Sequence, residues 1–73
     1  MLKGAIITAK DLRSEDQVVY RDGVLEITSV NCRRDFLEVV GRYYTAYGQN
    51  DSFGVTAEPD EKIILLFRKR VQL

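Results

Sequence analysis

Apolar residues recur along this chain at two spacings, every second position as in a strand and every third or fourth as in a helix. Most segments keep one of them. The first apolar run, "GAIITA" at 4–9, is rich in β-branched residues and reads as a strand. "KDLRSED" at 10–16 interrupts it with charge and reads as a turn in which Leu12 is the one inward anchor.

"QVVYRDGVLEITSV" at 17–30 carries the clearest local signal, Asp22-Gly23 between two β-rich runs. That dipeptide favours a two-residue type I′ turn, whose central residues both need positive φ. In that register Arg21 faces Val24, Tyr20 faces Leu25, Val19 faces Glu26 and Val18 faces Ile27. Val18, Tyr20, Leu25 and Ile27 then share one apolar face, with Gln17, Arg21, Glu26 and Thr28 largely on the other. Further on, "SFGVTA" and "KIILLFRKR" are joined by "EPDE" and read as a hairpin. The unbroken apolar run Ile63 to Phe67 suits a central strand or a barrel strand with a covered outer face.

"DFLEVVGRYYTAYG" at 35–48 satisfies both periods. As a helix it places Phe36, Val39, Val40, Tyr43, Tyr44 and Tyr47 on one stripe, with Asp35 as N-cap, Glu38 three residues on and Gly48 as the stop. As a strand it places Leu37, Val39, Tyr43 and Tyr47 on one face and Phe36, Val40 and Tyr44 on the other. Gly41 would cost a helix about 1 kcal/mol, whereas in a strand it can mark a bulge. The local rules leave the two readings level.

Residues 7–30 resemble a pattern found in small SH3-like β-barrel proteins of phages and mobile elements. Ala9, Asp11 and Leu12 match its turn, Asp16 and Val18 its approach to a hairpin, and Asp22-Gly23 the hairpin's end. "EPDEKIILL" resembles its closing strand, and Ser14-Glu15 stands where the pattern carries a glycine before the aspartate. The resemblance implies a five-stranded meander closing on itself and no particular activity. It favours the strand at 35–48, because closure would also remove exposed sheet edges. The fold expected is therefore all-β, a small five-stranded meander or SH3-like barrel. The alternative is α+β, an antiparallel sheet with one helix at about 35–47.

At 73 residues there is room for one core, so residues 1–73 are read as one domain. Such a chain buries only about 60% of its unfolded surface, which leaves a place for a partner or a second copy. Eleven basic residues balance eleven acidic ones, so no net field draws it to nucleic acid or anionic lipid. Acidic Asp51, Glu58, Asp60 and Glu61 precede basic Lys62, Arg68, Lys69 and Arg70, a polarity that reads as a solvated hairpin. No apolar run approaches the ~20 residues of a membrane span, and no secretory pattern follows Lys3. A reducing, cytoplasmic setting is expected.

Cys32 is the sole cysteine and histidine is absent, which excludes an internal disulfide and a multi-cysteine zinc site and removes the usual neutral-pH base. Cys32 beside Arg33 and Arg34 is read as a small, partly buried turn residue rather than a nucleophile. The acidic pairs Glu15-Asp16 and Asp60-Glu61 read as surface turns rather than a metal or hydrolytic site. No catalytic, cofactor or metal residue is assigned, and no enzyme is expected. Two binding classes remain. Apolar residues on both faces of a strand at 35–48 suggest a non-enzymatic interaction or assembly module, a homo-oligomer or a phage-type accessory protein, with Phe36, Val40, Arg42 and Tyr44 at the contact. The alternative is a small barrel binding single-stranded nucleic acid through Arg33, Arg34, Arg42, Tyr44, Arg68, Lys69 and Arg70.

Overall fold

In the computed structural model, which describes residues 4–68, the stretch that satisfied both periods is a strand. Leu37 and Val39 are 3% and 2% exposed, and Tyr43 packs on the core. Val40 and Arg42 face outward. The period of two wins because this strand pairs along both of its sides, and the helix at 35–47 is not formed. Tyr47 departs from the expected face: the strand ends at Thr45 and Tyr47 sits fully exposed in the turn that follows.

The described residues form six strands: β1 (Ala5–Thr8), β2 (Gln17–Tyr20), β3 (Gly23–Cys32), β4 (Leu37–Thr45), β5 (Gly48–Ala57) and β6 (Lys62–Phe67). A single 3₁₀ turn, Ala9–Asp11, follows β1, and Leu12 beyond it is buried as expected. All six lie in one antiparallel sheet of order β1-β6-β2-β3-β4-β5. The five-stranded meander is thus corrected. A sixth strand is present, β6 inserts between β1 and β2, and the sheet keeps two edges instead of closing into a barrel. The expected hairpin between "SFGVTA" and "KIILLF" is absent as well, because β5 pairs with β4 while β6 pairs with β1 and β2.

The β2–β3 hairpin forms one residue earlier than the Asp-Gly rule places it. Val18 pairs with Leu25, Val19 with Val24 and Tyr20 with Gly23, and the turn residues are Arg21 and Asp22, with Arg21 at φ 51°. Gly23 belongs to β3 for a different reason: a Cβ there would lie 2.2 Å from the Tyr44 carbonyl oxygen. The register moves by two positions, an even number, so the face of Val18, Tyr20, Leu25 and Ile27 survives.

The core lies on the concave side of the sheet, around Val18, Leu25, Ile27, Leu37 and Val39, and Ala9 and Leu12 close one end. The sheet bends at Gly41. There Thr28 is an extra residue in β3, and on the other flank Asp51 and Ser52 together oppose Arg42. Bulges on both sides of one strand concentrate the twist at that point. Near the hairpin end, Tyr20, Tyr43 and Phe53 form an aromatic cluster, with the Tyr43–Phe53 rings stacked at 4.6 Å. The Tyr43 hydroxyl donates to the Tyr20 carbonyl at 2.9 Å. Tyr43→Phe is expected to cost about 1 kcal/mol in urea unfolding, since the ring packing stays and one part-buried acceptor loses its donor.

Loop 13–16 is held against β3 and the end of β6. Glu15 N–H donates to the Ile27 carbonyl and Ile27 N–H donates to the Asp16 carbonyl. Glu15 takes φ 72°, a left-handed conformation that glycine adopts without strain. Asp16, 1% exposed, is the buried acid that this geometry positions. Its carboxylate accepts Arg68 Nε at 3.0 Å, Arg68 Nη2 at 2.9 Å and the Arg13 N–H at 2.9 Å. Arg68 Nη2 also donates to the Asp11 carbonyl at 2.8 Å, so one guanidinium ties the last strand to the first loop.

Candidate interaction surface

Because side chains alternate along each strand, the outward residues of neighbouring strands line up in rows across the convex face. Ile6 pairs with Ile64, Val19 with Val24, and Val24 with Tyr44. The Val18–Leu65 pair places Val19 beside Ile64. The result is an apolar row, Ile6, Ile64, Val19, Val24 and Tyr44, that crosses five strands, about 19 Å at ~4.8 Å per strand. Ile6 is 71% and Ile64 44% exposed, while the other three are half-buried.

A mixed row runs alongside it. Phe67 pairs with Gln17, Gln17 with Glu26 and Glu26 with Arg42, and these residues line a groove of about 440 Å³. The Gln17 amide donates to Glu26 and the Arg42 guanidinium lies 3.7 Å from the Glu26 carboxylate. An apolar stripe bordered by paired polar groups has the layout of a protein interface, with a dry centre and a hydrated rim.

Of the four contact residues expected from sequence, Phe36, Val40, Arg42 and Tyr44 are all on the outer side or in the adjoining turn, but they do not make one patch. Phe36 stands in the β3–β4 turn and Val40 lies opposite Ser29 and Gly54. Arg42 separates Val40 from Tyr44, and only Tyr44 joins the apolar row. Ile6, Val19, Val24 and Ile64 were not singled out from sequence. The signal for Ile6, Val19 and Ile64 was the absence of alternation: "AII", "VVY" and "KIILLF" have no polar face to give to solvent.

Of the four arginine candidates among the described residues, three face carboxylates. Arg33 pairs with Glu38 at 2.9 Å, and that hydrogen bond, then the carboxylate's charge, holds its guanidinium above its ordinary pKa. Arg68 is likewise raised, first by its hydrogen bonds to Asp16. Arg42 lies near Glu26, and Arg34 stands in the β3–β4 turn with no carboxylate partner among the described residues. Lys69 and Arg70 lie outside the described residues. Cys32, expected to be partly buried, is exposed at the end of β3, where the strand runs past the core. Among the described residues no three acidic or cysteine side chains cluster as metal ligands, and no helix is long and apolar enough to cross a membrane.

The chain matches no protein-family model, no curated protein and no solved structure.

Proposed function

We propose that this protein is a non-catalytic interaction or assembly module that works by protein–protein contact through the convex face of its sheet. The observation that carries this reading is the apolar row Ile6, Ile64, Val19, Val24 and Tyr44 with its polar border. Burying it would remove apolar area from water at about 25 cal/mol per Å². The likeness of residues 7–30 to small phage and mobile-element proteins supports an accessory role, docking on a larger assembly or on a second copy. Nucleic-acid binding draws less support, since Arg33, Arg42 and Arg68 already face carboxylates and the chain carries no net charge.

Light scattering over a range of concentrations is expected to give a mass above the monomer at the highest ones. The substitutions Ile6→Lys and Ile64→Thr together are expected to weaken that association at least tenfold with little change in thermal stability, because both side chains are exposed. A strictly monomeric wild type that also fails to bind an apolar dye would overturn the reading. A titration with short single-stranded DNA and RNA at low salt is expected to show no binding; saturable binding would restore the nucleic-acid alternative.

A further inference from the structure

Two turns stand side by side at one end of the sheet, Arg21-Asp22 between β2 and β3 and Ala46-Tyr47 between β4 and β5. Between them opens a pocket of about 240 Å³, with Tyr20, Tyr43 and Phe53 in its wall and the exposed turn residues Arg21, Asp22 and Tyr47 at its rim. The three rings pack on one another but are only half-buried. The cluster therefore keeps aromatic surface that no other described residue covers.

Tyr47 is fully exposed, so its ring lies outside this pocket although its turn borders it. The turn itself is tied down: the Tyr47 N–H donates to Thr45 Oγ1 at 3.2 Å, and that hydroxyl donates to the Gly48 carbonyl at 3.3 Å. An aromatic side chain is thus held out from the surface beside an aromatic pocket. Tyrosine supplies a large contact area for two rotatable bonds, so burying it in a contact costs little entropy.

The charges at the rim select the occupant. The Arg21 guanidinium lies 5.3 Å from the Tyr20 ring centroid, which keeps it at the pocket. Among the described residues Arg21 pairs with no carboxylate and Asp22 with no base. A strongly acidic or strongly basic occupant would gain from one and be repelled by the other. A rim with one charge of each sign complements itself: about a two-fold axis, Arg21 of each copy meets Asp22 of the other. Tyr47 obeys the same symmetry, because the projecting ring and the pocket are neighbours and one axis between them engages both. We propose that the Tyr47 ring of a second copy enters the pocket of Tyr20, Tyr43 and Phe53, reciprocally, with two Arg21–Asp22 ion pairs around it. The contact involves two turns of each copy, less than a stable dimer buries, so the association is weak and shows at high protein concentration. This rests on the reading of the chain as an interaction module, but on a different surface from the convex row.

The test uses the full chain. In ¹⁵N spectra of the wild type taken from micromolar to millimolar concentration, the amides of Tyr20, Arg21, Ala46 and Tyr47 are expected to shift. Tyr47→Ser is expected to lower the association constant at least tenfold without changing the melting temperature, since its side chain is fully exposed. p-Cresol, the tyrosine side chain alone, titrated into that variant is expected to shift the amides of Tyr20, Tyr43 and Phe53. Arg21→Asp and Asp22→Arg are each expected to weaken association at least tenfold, and an equimolar mixture of the two to restore it, because the mixed dimer sets acid against base at both places. That recovery should fade as salt is raised. Wild-type amides that do not move with concentration, wild-type association in Tyr47→Ser, no response to p-cresol, or a mixture no better than either charge variant would overturn the proposal. If Ile6→Lys with Ile64→Thr dissociates while Tyr47→Ser stays associated, the pocket contact fails and the convex-face reading stands. If Tyr47→Ser is monomeric and the convex-face variant still dimerises, the pocket contact stands and the convex face is not the contact between copies.

Discussion

Asp16→Ala is expected to destabilise the fold by about 3 kcal/mol, the lower end of the range for removing one partner of a buried ion pair. The carboxylate is 1% exposed and accepts two bonds from Arg68 and one from the Arg13 N–H. Alanine would leave the guanidinium and that N–H without their acceptor. The Arg68 side chain is 31% exposed, so water would recover part of the loss, which argues for the lower end. Against a total stability of roughly 4 to 11 kcal/mol for a chain of this length, the change would move the urea midpoint far toward zero. Arg68→Ala should cost at least as much, because it strands a fully buried carboxylate, and Arg68→Lys should recover only part of it, since an ammonium cannot make the two-pronged contact. A double-mutant cycle on Asp16 and Arg68 measures the coupling. A coupling energy indistinguishable from zero would show that the pair does not fasten the last strand to the first loop.

Gly41→Ala should be strongly destabilising. A Cβ at Gly41 would stand 2.1 Å from the Glu26 carbonyl oxygen and 3.0 Å from the Ile27 Cα, both backbone atoms that cannot swing away. β3 and β4 would have to separate where the sheet bends, at a cost of about 3 kcal/mol or more. Gly54→Ala provides the internal control, because the nearest atom to its Cβ is the Val39 carbonyl oxygen at 4.0 Å. That change should be neutral or stabilise by up to about 1 kcal/mol, through lower entropy of the unfolded chain. Thermal unfolding of the two variants side by side tests the bend: equal melting temperatures would mean that β3 and β4 do not approach as closely as described.

Much of the sheet was legible because strand periodicity is local. Val18, Leu25 and Ile27 alternate inward whatever the turn does, and Leu37 and Val39 oppose Val40 and Tyr44 once the segment is a strand. The exact hairpin register was not legible. Asp22-Gly23 favours a turn by its own φ preferences, whereas Gly23 is held in β3 by the close approach of β4. Tyr47 followed the strand period only until β4 ended two residues before it. As for the candidate surface, the sequence pointed to Tyr44 but paired it with Phe36 and Val40, its neighbours along the chain. Its row-mates are Val24 and, beyond it, Val19, Ile64 and Ile6, supplied by four other strands.

The amino-acid sequence by itself determined that this chain is all-β once a strand was chosen at 35–48, that Val18, Leu25, Ile27, Leu37, Val39 and Tyr43 face the core, and that Leu12 anchors the first loop. Those are properties of alternation and of turn residues within a few positions of each other. Only the tertiary structure decided that β6 inserts between β1 and β2, that Asp16 meets Arg68 across 52 residues, and that β5 and β6 part to leave a cleft. Strand order and edge exposure depend on which distant backbones find each other. Every strand offers the same row of donors and acceptors on both sides, so its own residues do not say which neighbour will take them.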